Sequence, residues 1–336
     1  MTTLNADRPA SDRLGAIADR NLALELVRVT EAAALAASRW IGLGKKNEAD
    51  GAAVEAMRTA FDTVQIDGTV VIGEGEMDEA PMLYIGERVG AGGPAMDIAV
   101  DPLEGTTLTS KGGPNALAVL ALAERGNFLH APDIYMDKIA VGGGLPEGVV
   151  DLDAPIIENL RNLACAKKRE IHDLMVCILD RDRHSEIIAK CREAGARILL
   201  ISDGDVAGVI ATATPDSEVD MYLGWGGAPE GVLSAAALRC IGGQMQGRLI
   251  YEDAGQIARA REMGIVDPNQ KFSVADMAKG DVMFAATGVT SGAMLRGVRR
   301  YGHGAVTHSI VMRSKSGTVR YVEAHHNFIT KTWTPS

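Results

Sequence analysis

Asp97-Ile98-Ala99-Val100-Asp101-Pro102-Leu103-Glu104-Gly105-Thr106 is a short apolar run that breaks off into two carboxylates, a proline and a glycine. Its first four residues read as a strand and Asp101–Glu104 as the turn that ends it. Acids that follow directly on a strand project from the rim of a sheet, which is where α/β folds hold their ligands. Thr69-Val70-Val71-Ile72 repeats the arrangement and ends in Gly73-Glu74-Gly75-Glu76. Ala116 to Ala123 reads as a third strand.

Residues 1–16 are polar and are expected to be loose. From Ile17 to Trp40, Leu22, Leu26, Val29, Ala33 and Trp40 fall on one face of a long helix, stopped by Gly42 and Gly44. A second helix is expected over Glu48–Phe61. Further along the chain, strand and helix alternate: strand Leu174–Leu179, helix His184–Ala194, strand Ile198–Ile201 and helix Asp205–Thr212. Strand Val219–Leu223, helix Glu230–Ile241 and strand Arg248–Tyr251 follow. Residues 305–325 read as a closing antiparallel hairpin. Strands separated by helices of this length imply α/β layering. A boundary near residue 170 is expected to divide an N-terminal metal-binding lobe (17–170) from a C-terminal lobe (171–336) that completes the substrate site.

The chain has 336 residues, 46% of them hydrophobic, which is enough for two packed lobes. Its net charge of −10 gives no basic surface for nucleic acid or an anionic membrane, so neither is expected as a partner. The first twenty residues lack the apolar core of a signal peptide, and no apolar run approaches the ~20 residues of a membrane helix. The four cysteines, Cys165, Cys177, Cys191 and Cys240, show no close paired spacing. A cytoplasmic protein with reduced thiols is expected.

Between Asp67 and Glu104 stand nine carboxylates and one base, Arg88. The bland reading is a solvated acidic surface. Against it, Glu74 and Asp101 follow directly on strands, and Gly73, Gly75 and Gly105 let the backbone turn beside them. A metal role for Glu74, Asp101 and Glu104 is therefore preferred. Hard oxygen ligands with no histidine nearby suit Mg2+ or Mn2+ better than zinc. Thr106 is either a helix cap or a hydroxyl that orients an attacking water.

Gly226-Gly227-Ala228-Pro229-Glu230-Gly231 lies between a strand and a helix, where free N–H groups favour anions. Glu230 beside such a site makes sense if a cation intervenes, so it too is a metal candidate. Arg181 and Arg183 read on their own as two solvated arginines; as function they clamp a second phosphate. Asp203 and Asp205 can accept hydrogen bonds from sugar hydroxyls, although Asp205 reads equally well as an N-cap.

Asp101-Pro102-Leu103-Glu104-Gly105-Thr106 resembles the signature of the lithium-sensitive, metal-dependent phosphatase superfamily, whose second acid is commonly Asp. Glu104 in that place is similar to bacterial class II fructose-1,6-bisphosphatases. So are the run Ile72 to Glu87, Ile201-Ser202-Asp203-Gly204-Asp205 and Gly227-Ala228-Pro229-Glu230-Gly231-Val232. The resemblance implies a layered α-β-α-β-α sandwich and hydrolysis of the 1-phosphate of fructose 1,6-bisphosphate. It also implies two to three Mg2+ or Mn2+ ions on Asp50, Glu74, Asp101, Glu104 and Glu230. Lys46-Asn47-Glu48-Ala49-Asp50 carries the Asp50 assignment. Substrate contacts are implied at Lys46, Glu104, Gly105, Thr106, Tyr135, Arg181, Asp182, Arg183, Asp203, Gly204, Asp205 and Gly227. Asp78 and Glu76 are implied to support the water that Thr106 orients. Asp182 departs from the family, in which a proline commonly stands between the two basic residues.

The same resemblance implies gluconeogenesis or the Calvin cycle, with sedoheptulose 1,7-bisphosphate as an alternative substrate, and a homodimer or homotetramer. The nearest rival is an inositol or nucleotide monophosphatase of the same fold. A sugar-phosphate sensor without catalysis is another, and it would not need every metal acid. A dinucleotide oxidoreductase is a third, but Gly73-Glu74-Gly75 lacks its glycine spacing.

Overall fold

A computed structural model describes residues 10–75 and 82–330, with side chains from residue 22 onward. Helix α1 (Ala10–Ala37) is followed by α2 (Lys46–Phe61), β1 (Asp67–Ile72), β2 (Arg88–Val89) and β3 (Ala95–Glu104). Next come α3 (Thr106–Lys111), β4 (Leu117–Glu124), β5 (Tyr135–Val141), α4 (Ile156–Lys167) and β6 (Met175–Leu179). Then α5 (Ser185–Glu193), β7 (Arg197–Ile201), α6 (Asp205–Ala211), β8 (Met221–Gly227), α7 (Ala228–Ile241) and β9 (Gln244–Leu249). The chain continues through α8 (Ala254–Glu262), β10 (Phe272–Ser273), α9 (Val274–Met277), β11 (Val282–Gly288), β12 (Arg299–Tyr301), β13 (Gly304–Arg313) and β14 (Thr318–Asn327).

These strands form two sheets. The first has the order β12-β13-β11-β4-β3-β1-β2, with β14 paired to β13. The second has the order β10-β9-β5-β8-β6-β7. The three largest buried clusters join three helical layers to the two sheets. Leu26, Ala33, Met57 and Phe61 of α1 and α2 pack on one face of the first sheet, against Ile98, Leu120 and Ala285. Val206, Val209, Val232 and Leu233 of α6 and α7 fill the space between the sheets, touching Val119 and Phe284 on one side and Met136 and Tyr222 on the other. Leu160, Leu163 and Ile188 of α4 and α5 cover the outer face of the second sheet. The result is the expected α-β-α-β-α sandwich.

Composition explains the middle layer. Helix α7 reads Ala-Pro-Glu-Gly-Val-Leu-Ser-Ala-Ala-Ala-Leu-Arg-Cys-Ile, and ten of its fourteen residues are buried. A helix apolar on all sides belongs in an interior. Alanines let the two sheets approach it closely without leaving voids.

Three expectations change. Helix α1 already runs through Ala10–Ala16, part of the segment expected to be loose. The boundary expected near residue 170 does not match the sheets: β5 already belongs to the second, while β11 to β14 return to the first. Strands β5 and β11 were not expected at all. Strand β11 is buried throughout, so it lacks the polar alternation of a half-exposed strand, and in β5 the adjacent Asp137 and Lys138 interrupt the pattern. The closing hairpin is present as β13 and β14, paired from Gly304↔Asn327 to Arg313↔Thr318.

Candidate active site

Strand β3 carries the first acids. It does not stop at Val100 as expected but continues to Glu104, with its pairing to β4 shifted between Asp101 and Glu104. Pro102 has no N–H to give the ladder, and Leu103 N–H turns to Asp101 Oδ1 at 3.1 Å. The irregularity aims both carboxylates off the strand end. Gly105 follows at φ +87, a left-handed position that glycine adopts without strain, and Thr106 opens α3.

Glu74 lies just past β1, where its N–H donates to the Leu83 carbonyl at 3.0 Å. Asp50 comes from α2 and Glu230 from the first turn of α7, with Pro229 just before it. These acids share one cleft of about 430 Å³ with Lys46, Gly105, Thr106, Arg181, Asp203 and Asp205. A larger cavity of about 690 Å³ has a mostly apolar lining and includes only Asp203 and Gly204 from the expected set.

Crowding perturbs the acids. Desolvation, then the neighbouring Asp50, Asp133 and Glu230, push the Glu74 carboxyl up to about 8. Burial and the charges of Glu230, Glu104, Glu74 and Asp50 hold the Asp101 carboxyl well above its ordinary range. Glu104 is also raised well above its usual value by burial and by Asp205, against the pull of a hydrogen bond from Val206 N–H. Burial and Asp205 raise Glu230 to about 7, with Lys138 opposing. Burial raises Asp50 as well, and Lys46 opposes it. Mutual repulsion of this kind marks functional sites more often than structural ones.

One oxygen of Glu104 accepts from Val206 N–H at 2.8 Å. Its other oxygen, Oε2, and Glu230 Oε2 are buried without a hydrogen-bond partner. Buried acceptors left unpaired are costly, and a cation is one partner that would satisfy them. Among the described residues, no three His, Cys, Asp or Glu side chains are already gathered as a metal-binding group. The donors are all hard oxygens, and the two orphaned atoms fit a Mg2+- or Mn2+-type ion.

The distal side is built on β6 and β8. Arg183 lies over the Tyr135 ring at 4.8 Å and donates from Nη2 to the Trp225 carbonyl at 3.0 Å. His184 locks this corner. Its Nε2 accepts from Trp225 N–H and its Nδ1 lies against the Leu179 carbonyl, both at 2.8 Å. Burial lowers its pKa, which agrees with a neutral ring. Arg181 stands 3.9 Å from Asp203.

The expected residues therefore separate into two groups. Lys46, Asp50, Glu74, Asp101, Glu104, Gly105, Thr106, Arg181, Asp203, Asp205 and Glu230 line one cleft. Tyr135, Asp182, Arg183, Gly204 and Gly227 are not part of that lining. Asp182 is exposed, in a short 3-10 turn. Asp205 is not an N-cap, because Gly204 holds that position at φ +84 and Asp205 is the first helical residue. Glu76 and Asp78 lie outside the described residues. Sequence reading missed Asp133, which lines the cleft and repels Glu74 and Glu230. It also missed His184 and Lys138. Asp133 stands just before β5, not after a strand, so the strand-end rule that found Glu74 and Asp101 does not reach it.

A layered α/β frame with an acid-lined cleft, basic groups at its rim and a cation-ready floor defines a phosphohydrolase site. The family model described as bacterial fructose-1,6-bisphosphatase, glpX-encoded, matches residues 20–326, and the chain belongs to that family. It is 50% identical over 322 residues to fructose-1,6-bisphosphatase 1 class 2 of Escherichia coli strain K12, covering 91% of this chain and 95% of that relative. The same identity and coverage hold for the fructose-1,6-bisphosphatase class 2 of Shigella flexneri.

Proposed function

We propose that this protein hydrolyses the 1-phosphate of fructose 1,6-bisphosphate, releasing fructose 6-phosphate and inorganic phosphate. The observation that carries this reading is the single cleft in which Glu74, Asp101, Glu104 and Glu230 face Lys46 and Arg181. Asp50, Glu74, Asp101, Glu104 and Glu230 would hold two or three Mg2+ or Mn2+ ions. When bound, such ions polarise the phosphate and make a coordinated water nucleophilic near neutral pH.

The chain itself supplies position and proton handling. Thr106 Oγ1, on the first residue of α3, orients the attacking water in line with the scissile bond, with Asp78 and Glu76 assisting. Arg181 and Lys46 offset charge on the phosphates. Arg183, braced on Tyr135 and the Trp225 carbonyl, holds the distal phosphate together with the Asp182 segment. Asp203 and Asp205 accept from sugar hydroxyls, and the backbone of Gly204 and Gly227 lets the ligand approach closely. Binding energy at the far end then fixes the reacting group.

The protein acts in the cytoplasm in this reading, supported by four cysteines that are all free thiols. No described helix is long and apolar enough to cross a membrane. A homodimer or homotetramer is also part of the reading. It is supported by edge strand β7, on which Leu199 and Leu200 are exposed. The test is phosphate release from fructose 1,6- and sedoheptulose 1,7-bisphosphate, inositol phosphate and nucleotides, with and without Mg2+ or Mn2+. Metal-dependent release from fructose 1,6-bisphosphate is expected. No release from any bisphosphate with metal present would end the reading.

A further inference from the structure

Lys138 has no part in the chemistry above, yet its side chain is wholly buried. It stands on β5, opposite Gly224 of β8 and Gly247 of β9. Its Nζ donates to Asp205 Oδ2 at 2.5 Å and to the Gly227 carbonyl at 2.9 Å. Tyr222 OH also donates to Asp205 Oδ2, at 3.4 Å.

Those partners sit on the two helix starts that carry different walls of the cleft. Asp205 opens α6, and the next residue, Val206, holds Glu104 through its N–H. Gly227 is the N-cap of α7, and Glu230 lies in the first turn of that helix. One ammonium beneath the cleft therefore ties the sugar-facing wall to the cation-facing wall. The space it occupies is kept open by glycine. A Cβ at Gly226 would lie 1.9 Å from Asp205 Oδ2 and 2.7 Å from Lys138 Nζ. Burying an ion pair is a poor way to gain stability, since apolar side chains of the same size do as well or better. A lysine buried in this way is better explained by the geometry it imposes.

We propose that Lys138 is a positioning residue for the hydrolysis: by bridging Asp205 and the Gly227 carbonyl it fixes the distance between the sugar-binding and the metal-binding walls. This rests on the reading that Asp205 faces the sugar and Glu230 a cation.

The test compares wild type, Lys138→Met and Gly226→Ala by steady-state kinetics, circular dichroism and calorimetric titration with Mn2+ alone. Lys138→Met is expected to raise KM for fructose 1,6-bisphosphate and to lower kcat at saturating metal. A displacement of about 1 Å at the reacting group lowers rate by about 100-fold, which sets the expected loss in kcat/KM. Mn2+ affinity should weaken alongside. A folded Lys138→Met enzyme with wild-type kcat, KM and Mn2+ affinity overturns the proposal, whatever its melting temperature. If that variant does not fold, Gly226→Ala decides, because it keeps both charges and displaces them. Unchanged kinetics there also overturn the proposal. A wild type that hydrolyses no bisphosphate would instead sink the functional reading, leaving the Mn2+ titrations to test the bridge.

Discussion

Glu104 is buried at the end of β3. One oxygen is fixed by Val206 N–H and the other is buried without a partner. Glu104→Gln keeps the shape and the first contact but removes the charge. We expect a loss of at least about 100-fold in kcat, comparable to the loss of one preorganised electrostatic contact. The circular dichroism spectrum should not change. Near wild-type turnover would show that the metal acids are misassigned. Glu74 gives the residue-scale pH prediction. Its carboxyl is raised to about 8 in the folded chain, while the unfolded chain titrates it near the ordinary 4.5. The folded state thus keeps its proton where the unfolded state has released it. The stabilisation is complete below about 4.5, shrinks as pH rises and is gone above about 8. Metal-free protein should therefore melt lower at pH 8 than at pH 6, and Glu74→Gln should flatten that slope. A wild-type melting temperature that climbs from pH 6 to 8, with no difference in Glu74→Gln, would contradict the assignment.

At the scale of elements, the junction of β8 and α7 determines how Glu230 enters the cleft. The strand ends at Gly227 and the helix starts at Ala228, with no intervening loop. A Cβ on Gly227 would lie 1.9 Å from Glu230 Oε2. Gly227→Ala should push that carboxylate aside, lowering Mg2+- or Mn2+-supported activity at least tenfold with little effect on the melting temperature. Saturation with metal at wild-type concentration would count against it. Helix α7 makes the opposite case. Leu233 is fully buried between the sheets. Leu233→Ala should cost about 2–5 kcal/mol in denaturant unfolding and leave kcat of the remaining folded protein unchanged. The start of α7 was legible because Gly226, Gly227 and Pro229 mark a strand-to-helix junction, whereas its burial on all sides shows only in the fold. The end of β3 was not. Pro102 signalled a turn, and only pairing with β4 shows that the strand continues past it.

In the whole molecule, chain order and spatial order diverge. Strand β11 sits between β4 and β13 in the first sheet, although more than 150 residues separate it from β4 in sequence. A fragment ending at residue 170 would leave β4 as a bare apolar edge and strip β5 of both its partners. Such a fragment should be insoluble or unfolded by circular dichroism. A cooperative melt from residues 1–170 alone would show that the first lobe is autonomous after all.

The sequence by itself determined the α/β class, the long first helix with one apolar face, and the strand-end acids Glu74, Asp101 and Glu104. Each of these follows from neighbours within a few residues, where periodicity and turn chemistry act. Family resemblance added Asp50, Lys46 and Tyr135, and it favoured a phosphate clamp over solvated charge at Arg181 and Arg183. Only the tertiary structure decided that Asp133 joins the acids, that His184 and Arg183 both bond the Trp225 backbone and that Lys138 pairs with Asp205. Those facts depend on strands that pair across long separations and on burial, which changes the cost of a charge. A lysine in a strand has the same letter whether water or a carboxylate surrounds it, and the fold supplies the difference.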